Sequence, residues 1–66
     1  MSRIRINGEE RDAAAESIAK MVEELGLCAP TVLIEHNGLA LRRSEWAGTR
    51  LGDGDRVEIL FVAAGG

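Results

Sequence analysis

Cysteine, proline and histidine each occur once in this sequence, tyrosine is missing, and Trp46 and Phe61 are the only aromatic residues. The single cysteine, Cys28, cannot close an internal disulfide, which excludes a stapled extracellular scaffold and fits a reducing compartment. A free, inert thiol is its expected role. One histidine, His36, and one cysteine on different elements cannot supply the three or so protein ligands of a catalytic metal site. Ser17 and Ser44 have no histidine beside them in sequence, so no nucleophile–base pair is visible. His36 is expected to be a surface residue at a strand end. With two aromatics, no basic run longer than Arg42-Arg43 and a formal net charge of −3, the chain lacks both the positive stripe and the stacking platforms of a nucleic-acid binder. Its longest apolar run, residues 59–64, is far too short to span a bilayer, and the start MSRIRINGEE has no apolar signal segment. A cytoplasmic location is expected, with no membrane contact.

Phosphate-binding signatures are missing too. There is no Walker A sequence and no GxGxxG, and the glycines at 48, 52 and 54 are read as turn glycines, so no bound cofactor is expected. The Gly52-Asp53-Gly54-Asp55 stretch lacks the further ligands and closing glutamate of a calcium loop.

What is present describes one small folded domain over residues 1–66. Hydrophobic residues make up 45% and charged residues 29%, an ordinary globular balance. Residues 3–7 alternate, with Ile4 and Ile6 on one face and Arg3 and Arg5 on the other, which predicts a half-buried strand. Asn7-Gly8 then turns the chain into a short polar edge strand, EERDA. Ser17 is placed to cap a helix whose Ile18, Met21, Val22 and Leu25 share one stripe, and Gly26 is the expected stop. TVLIEH is the third strand, with Val32 and Ile34 facing one way and Leu33 and Glu35 the other. Asn37-Gly38 turns into a short fourth strand, LALR. The RSEWAGT stretch reads as irregular, with Trp46 over one end of the core and its N–H bonded to a carbonyl or water. A turn at residues 52–55 precedes the last strand, RVEILFV.

One helix with a single apolar stripe has to cover one face of the sheet. A right-handed crossover through it brings the last strand beside and parallel to the first. The fold class is therefore α+β, a ubiquitin-like β-grasp with a mixed four- to five-stranded sheet and one main helix on one face. Its expected core is Ile4, Ile6, Ile18, Met21, Val22, Leu25, Val32, Ile34, Val57, Ile59 and Phe61.

By elimination, chemistry moves to the terminus. A C-terminal glycine presents the least hindered carboxylate a protein can offer, and Gly65 and Gly66, having no Cβ, can thread a narrow channel in any backbone conformation it imposes. Such a tail suits a group that another enzyme must activate.

The Asn37-Gly38 turn, the Arg43 to Trp46 segment, the Asp53-Gly54-Asp55 turn, the strand Val57-Glu58-Ile59 and the terminal Gly65-Gly66 together resemble the ThiS family, the small sulfur carriers of thiamine biosynthesis. Two positions depart from the family pattern: Arg42 stands where a proline is common, and Ala63-Ala64 precede the glycines. The resemblance implies a carrier and not an enzyme. An adenylating enzyme of the ubiquitin-activating type would use ATP and Mg²⁺ to adenylate Gly66. A cysteine desulfurase persulfide would supply sulfur for a thiocarboxylate, and thiazole synthase would take that sulfur. In this scheme residues 63–66 form a flexible tail, with Ala64 and Gly65 passing through the partner's channel. Leu33, Leu60 and Val62, which alternation places on the face opposite the helix, are expected to dock these partners. The small subunit of molybdopterin synthase, another ubiquitin-like sulfur carrier or protein modifier, and a plain β-grasp binding module, for which Gly-Gly would be irrelevant, are the alternatives. Lys20, the only lysine, leaves a lysine-linked polymer one possible site.

Overall fold

The computed structural model describes residues 2–62. Five strands form one sheet: β1 (Ser2–Ile6), β2 (Glu9–Ala13), β3 (Val32–His36), β4 (Leu39–Leu41) and β5 (Arg56–Phe61), with one helix, α1 (Ile18–Glu24). The spatial order is β2-β1-β5-β3-β4. β5 lies in the middle, parallel to β1 and antiparallel to β3, while the two hairpins β1–β2 and β3–β4 supply the outer strands. Both edges are blunted, β2 by its charged residues and β4 by its three-residue length, which limits edge-to-edge pairing.

Each local signal in the sequence has a backbone counterpart. Asn7 and Asn37 both adopt φ 50°, and Gly8 and Gly38 both adopt φ 86°. Two consecutive positive-φ residues make the type I′ turn whose twist suits a tight hairpin, and Asn-Gly tolerates it best. Ser17 accepts a hydrogen bond from the Lys20 N–H at the start of α1. At the other end Gly26, at φ 68°, donates to Glu23 O, and Leu27 donates to Val22 O. That pair of bonds is a Schellman stop, satisfying carbonyls the helix leaves free.

The buried core contains Ile4, Ile6, Ile18, Met21, Val22, Val32, Ile34, Val57 and Ile59, nine of the expected residues. Leu25, which caps α1, is only partly buried and packs against that cluster. Phe61, expected inside, is 67% exposed. The reason is reach. Seven helical residues cover about 10 Å, whereas six strand residues extend about 20 Å, so the alternation of β5 continues past the helix that would cover it.

Ala13, Ala15, Trp46 and Leu51 are also buried. Leu51 is drawn in because Ile18 N–H donates to Thr49 O and Leu51 N–H donates to Glu16 O, which ties the long connection to the helix entrance. Trp46 packs into the core as expected, but its indole N–H has no hydrogen-bond partner among the described residues. The residue itself is 5% exposed. Among the described residues, no helix is long and apolar enough to cross a membrane.

Candidate functional site

The expected reacting residue, Gly66, and the threading residues Gly65 and Ala64 lie outside the described residues. What can be built from the structure is the platform that leads to them. Strand β5 is tied to the strands on both of its sides. β1 bonds along one side and β3 along the other, and the Val62 N–H donates to Thr31 O at 2.9 Å just beyond the strand.

Both Asn-Gly turns contribute to this hold through their side chains, a role that turn propensity does not reveal. The Asn7 N–H makes the last backbone bond of this side, to Val57 O at 2.9 Å, and the Asn7 side chain continues the ladder beyond it. Its Oδ1 accepts from Ile59 N–H at 2.7 Å, and its Nδ2 donates to Ile59 O at 3.1 Å. On the opposite side, Asn37 Oδ1 accepts from Arg56 N–H and Asn37 N–H donates to Arg56 O, both at 2.8 Å. The carboxamides thus satisfy Ile59 N–H, Ile59 O and Arg56 N–H, and the Asn37 backbone satisfies Arg56 O.

His36, expected as a surface residue at a strand end, is half-buried there. It does stand at the end of β3, but its side chain is 17% exposed and its Nε2 lies 2.8 Å from Asp55 Oδ2. Asp55 also accepts from Gly52 N–H at 2.9 Å and from Asn37 Nδ2 at 3.3 Å. Burial pushes the Asp55 carboxyl upward, but the hydrogen bonds from His36, the Gly52 N–H and Asn37, with the charge of His36, outweigh it and hold the group below the usual 3.8. The network joins the β3–β4 turn to the residues 52–55 turn, so it fixes where β5 begins. Asp53 helps from the other side by accepting the Arg3 N–H at 2.7 Å.

At the far end of β5 the surface changes character. Leu33 and Leu60 face each other across β3 and β5, on the side away from α1, and are 53% and 51% exposed. Val62 is also exposed, and alternation puts it on the same side. With Phe61 exposed on the helix side, the described end of β5 carries an apolar collar on both faces. Sequence alternation located three of these four residues; Phe61 was missed because it shares the parity of the buried Ile59.

Among the described residues no cluster of three or more His, Cys, Asp or Glu side chains is placed to hold a metal. Cys28 is exposed and unbridged. The hydrogen-bonded side chains of Asn7, His36, Asn37 and Asp55 anchor and orient β5, and among the described residues none forms a nucleophile–base pair.

A five-stranded mixed sheet grasping one helix, with β5 at its centre, defines a ubiquitin-like β-grasp domain. The ThiS family model matches residues 4–66, and the chain belongs to that family, the sulfur carriers of thiamine biosynthesis. The crystal structure of the thiamine biosynthesis protein ThiS from Geobacter metallireducens superposes with a TM-score of 0.80 at 32% identity, covering 97% of this chain and 99% of that one. The solution structure of a thiamine biosynthesis protein from the same organism gives 0.77 at 31% identity, covering 97% and 87%. A thiazole synthase of Paramagnetospirillum magneticum (strain ATCC 700264 / AMB-1) is 36% identical over 62 residues, 92% of this chain but 19% of that protein. The chain thus spans about a fifth of the length of that relative.

Proposed function

We propose that this chain is a protein co-substrate that carries sulfur on Gly66 for formation of the thiazole ring of thiamine. The observation that carries the reading is the family match running through residue 66, joined to a domain whose central strand is held up to Ile59 on the β1 side and up to Val62 on the β3 side. A carboxylate is a poor electrophile, so it has to be activated. In the proposed cycle the Gly66 carboxylate attacks the α-phosphorus of ATP on an adenylating enzyme, with Mg²⁺ held by that enzyme, and pyrophosphate leaves. The terminal sulfur of a persulfide, from a cysteine desulfurase or an equivalent donor, then attacks the acyl-adenylate and expels AMP. Thiol cleavage of the resulting S–S bond leaves the thiocarboxylate. Thiazole synthase takes the sulfur, and the carboxylate returns.

In this scheme the domain is the handle and residues 63–66 are the arm. Leu33, Leu60 and Val62 form the face that partners grip, and the absence of Cβ atoms at 65 and 66 lets the arm enter a channel. A cytoplasmic setting suits an exposed free thiol at Cys28. The thiazole synthase relative supports that enzyme as a partner, and the ThiS neighbours favour the thiamine pathway over the molybdopterin one.

The test is ATP–pyrophosphate exchange with the cognate adenylating enzyme, together with intact-mass analysis of the chain from its host. Deleting Gly66 is expected to abolish exchange while the circular dichroism stays that of wild type, and Gly65→Val is expected to do likewise by adding β-branched bulk. An oxygen-to-sulfur mass change confined to the C-terminal peptide marks the carrier. Wild-type exchange by the deleted form refutes the assignment.

A further inference from the structure

One pleat back from Leu33 and Leu60, on the same open face, Glu35 and Glu58 stand directly opposite one another across β3 and β5. Facing cross-strand residues have Cβ atoms about 4.5–5.5 Å apart, and like charges there are destabilising. The rest of the face handles its charge differently. Arg3 pairs with Glu10 and Asp12, and Arg5 with Glu10, so the β1–β2 half is self-neutralised. None of the ion pairs among the described residues involves Glu35 or Glu58. A shallow depression of about 210 Å³ opens between them, lined also by Gly38 and Arg56. Even with the Arg56 charge counted, two carboxylates and one guanidinium leave it net negative.

An exposed aliphatic row beside a net-negative acidic row, on a sheet face that no described helix covers, is complementary to a surface with a cation set among aliphatic side chains. We propose that this face docks thiazole synthase, with an arginine or lysine of the synthase entering between Glu35 and Glu58 while its aliphatic neighbours cover Leu33, Leu60 and Val62. The choice of partner rests on the carrier reading above and on the relative in which a stretch like this chain lies within a protein named thiazole synthase. Docking through the acidic row supplies register along β5 as well as attraction, because a cation seated between facing carboxylates cannot slide along the strand without losing one of them.

The experiment measures binding of the full chain to its cognate thiazole synthase by calorimetry, at low and at moderate salt. Glu35→Gln/Glu58→Gln is expected to weaken binding about tenfold and to flatten its salt dependence. The melting temperature of this variant is expected to be no lower than that of wild type, because a like-charge pair has been removed. Glu23→Gln/Glu24→Gln, which removes the same two charges from the helix, is expected to bind as wild type. Unchanged affinity in the Glu35→Gln/Glu58→Gln form overturns the proposal, as does equal weakening in both double variants, which would be an effect of net charge alone. A wild-type chain that self-associates through this face and does not bind the synthase overturns it as well. The carrier reading is judged separately, since the Gly66 exchange assay does not involve thiazole synthase.

Discussion

Replacing Asn7 by alanine is expected to destabilise the domain by about 2–4 kcal/mol, far more than an ordinary turn substitution. Two effects combine. The side chain makes bonds of 2.7 and 3.1 Å to the N–H and C=O of Ile59, a residue only 6% exposed. Losing a partner costs a buried backbone group about 1–3 kcal/mol, and a typical made bond contributes about 1 kcal/mol net. Alanine at φ 50° also pays roughly 1–2 kcal/mol for the left-handed conformation. Stability of about 0.05–0.15 kcal/mol per residue gives roughly 3–10 kcal/mol for a 66-residue domain, so the loss is a large share of the whole. Urea unfolding followed through the fluorescence of the buried Trp46 reads the stability, and amide exchange at Ile59 reads the site. Asn7→Gly separates the two causes, because glycine accepts the positive φ but cannot bond Ile59, and it is expected to recover about 1 kcal/mol relative to alanine. A stability for Asn7→Ala within about 0.5 kcal/mol of wild type, with Ile59 exchange unchanged, refutes the role given to this side chain.

Two further predictions concern the start and the end of β5. Because the Asp55 carboxyl is held below 3.8 in the folded protein, the unfolded chain takes up its proton first as the medium is acidified. The contribution of Asp55 is therefore fully present above the unfolded value, near 4, and is lost as pH falls through the lower folded value. Asp55→Asn is expected to cost about 1–2 kcal/mol at neutral pH, from the weakened bonds to His36 and Gly52, and to flatten the acid limb of a plot of stability against pH; an acid limb as steep as that of wild type would count against the network. Leu60→Glu is expected to keep the wild-type fold, since Leu60 is half exposed, and to raise the carrier concentration needed for half-maximal ATP–pyrophosphate exchange without changing the saturated rate. Equal kinetics at sub-saturating carrier would remove the apolar collar from the docking surface.

Local chemistry was enough to determine the five strands, the α-helix and their order, though not the 3-10 turns at Ala29–Thr31 and Arg43–Glu45. Alternation at Ile4 and Ile6 and at Val32 and Ile34, two Asn-Gly turns, a serine cap and a glycine stop each act over a few residues, so each can be read where it stands. The sequence likewise placed Leu33, Leu60 and Val62 on the open face, because parity along a strand is a local property. Tertiary structure alone decided the rest. Asn7 and Ile59 are 52 positions apart, and His36 and Asp55 19 apart; nothing beside an asparagine announces which distant backbone it will satisfy. Phe61 has the same parity as Ile59, yet it is exposed because the helix above it has ended. Leu51 sits in a stretch with no period at all and is buried because two backbone bonds pull its segment onto the helix entrance. Periodicity states which side of an element is apolar, but burial depends on whether another element is long enough, and close enough, to cover that side.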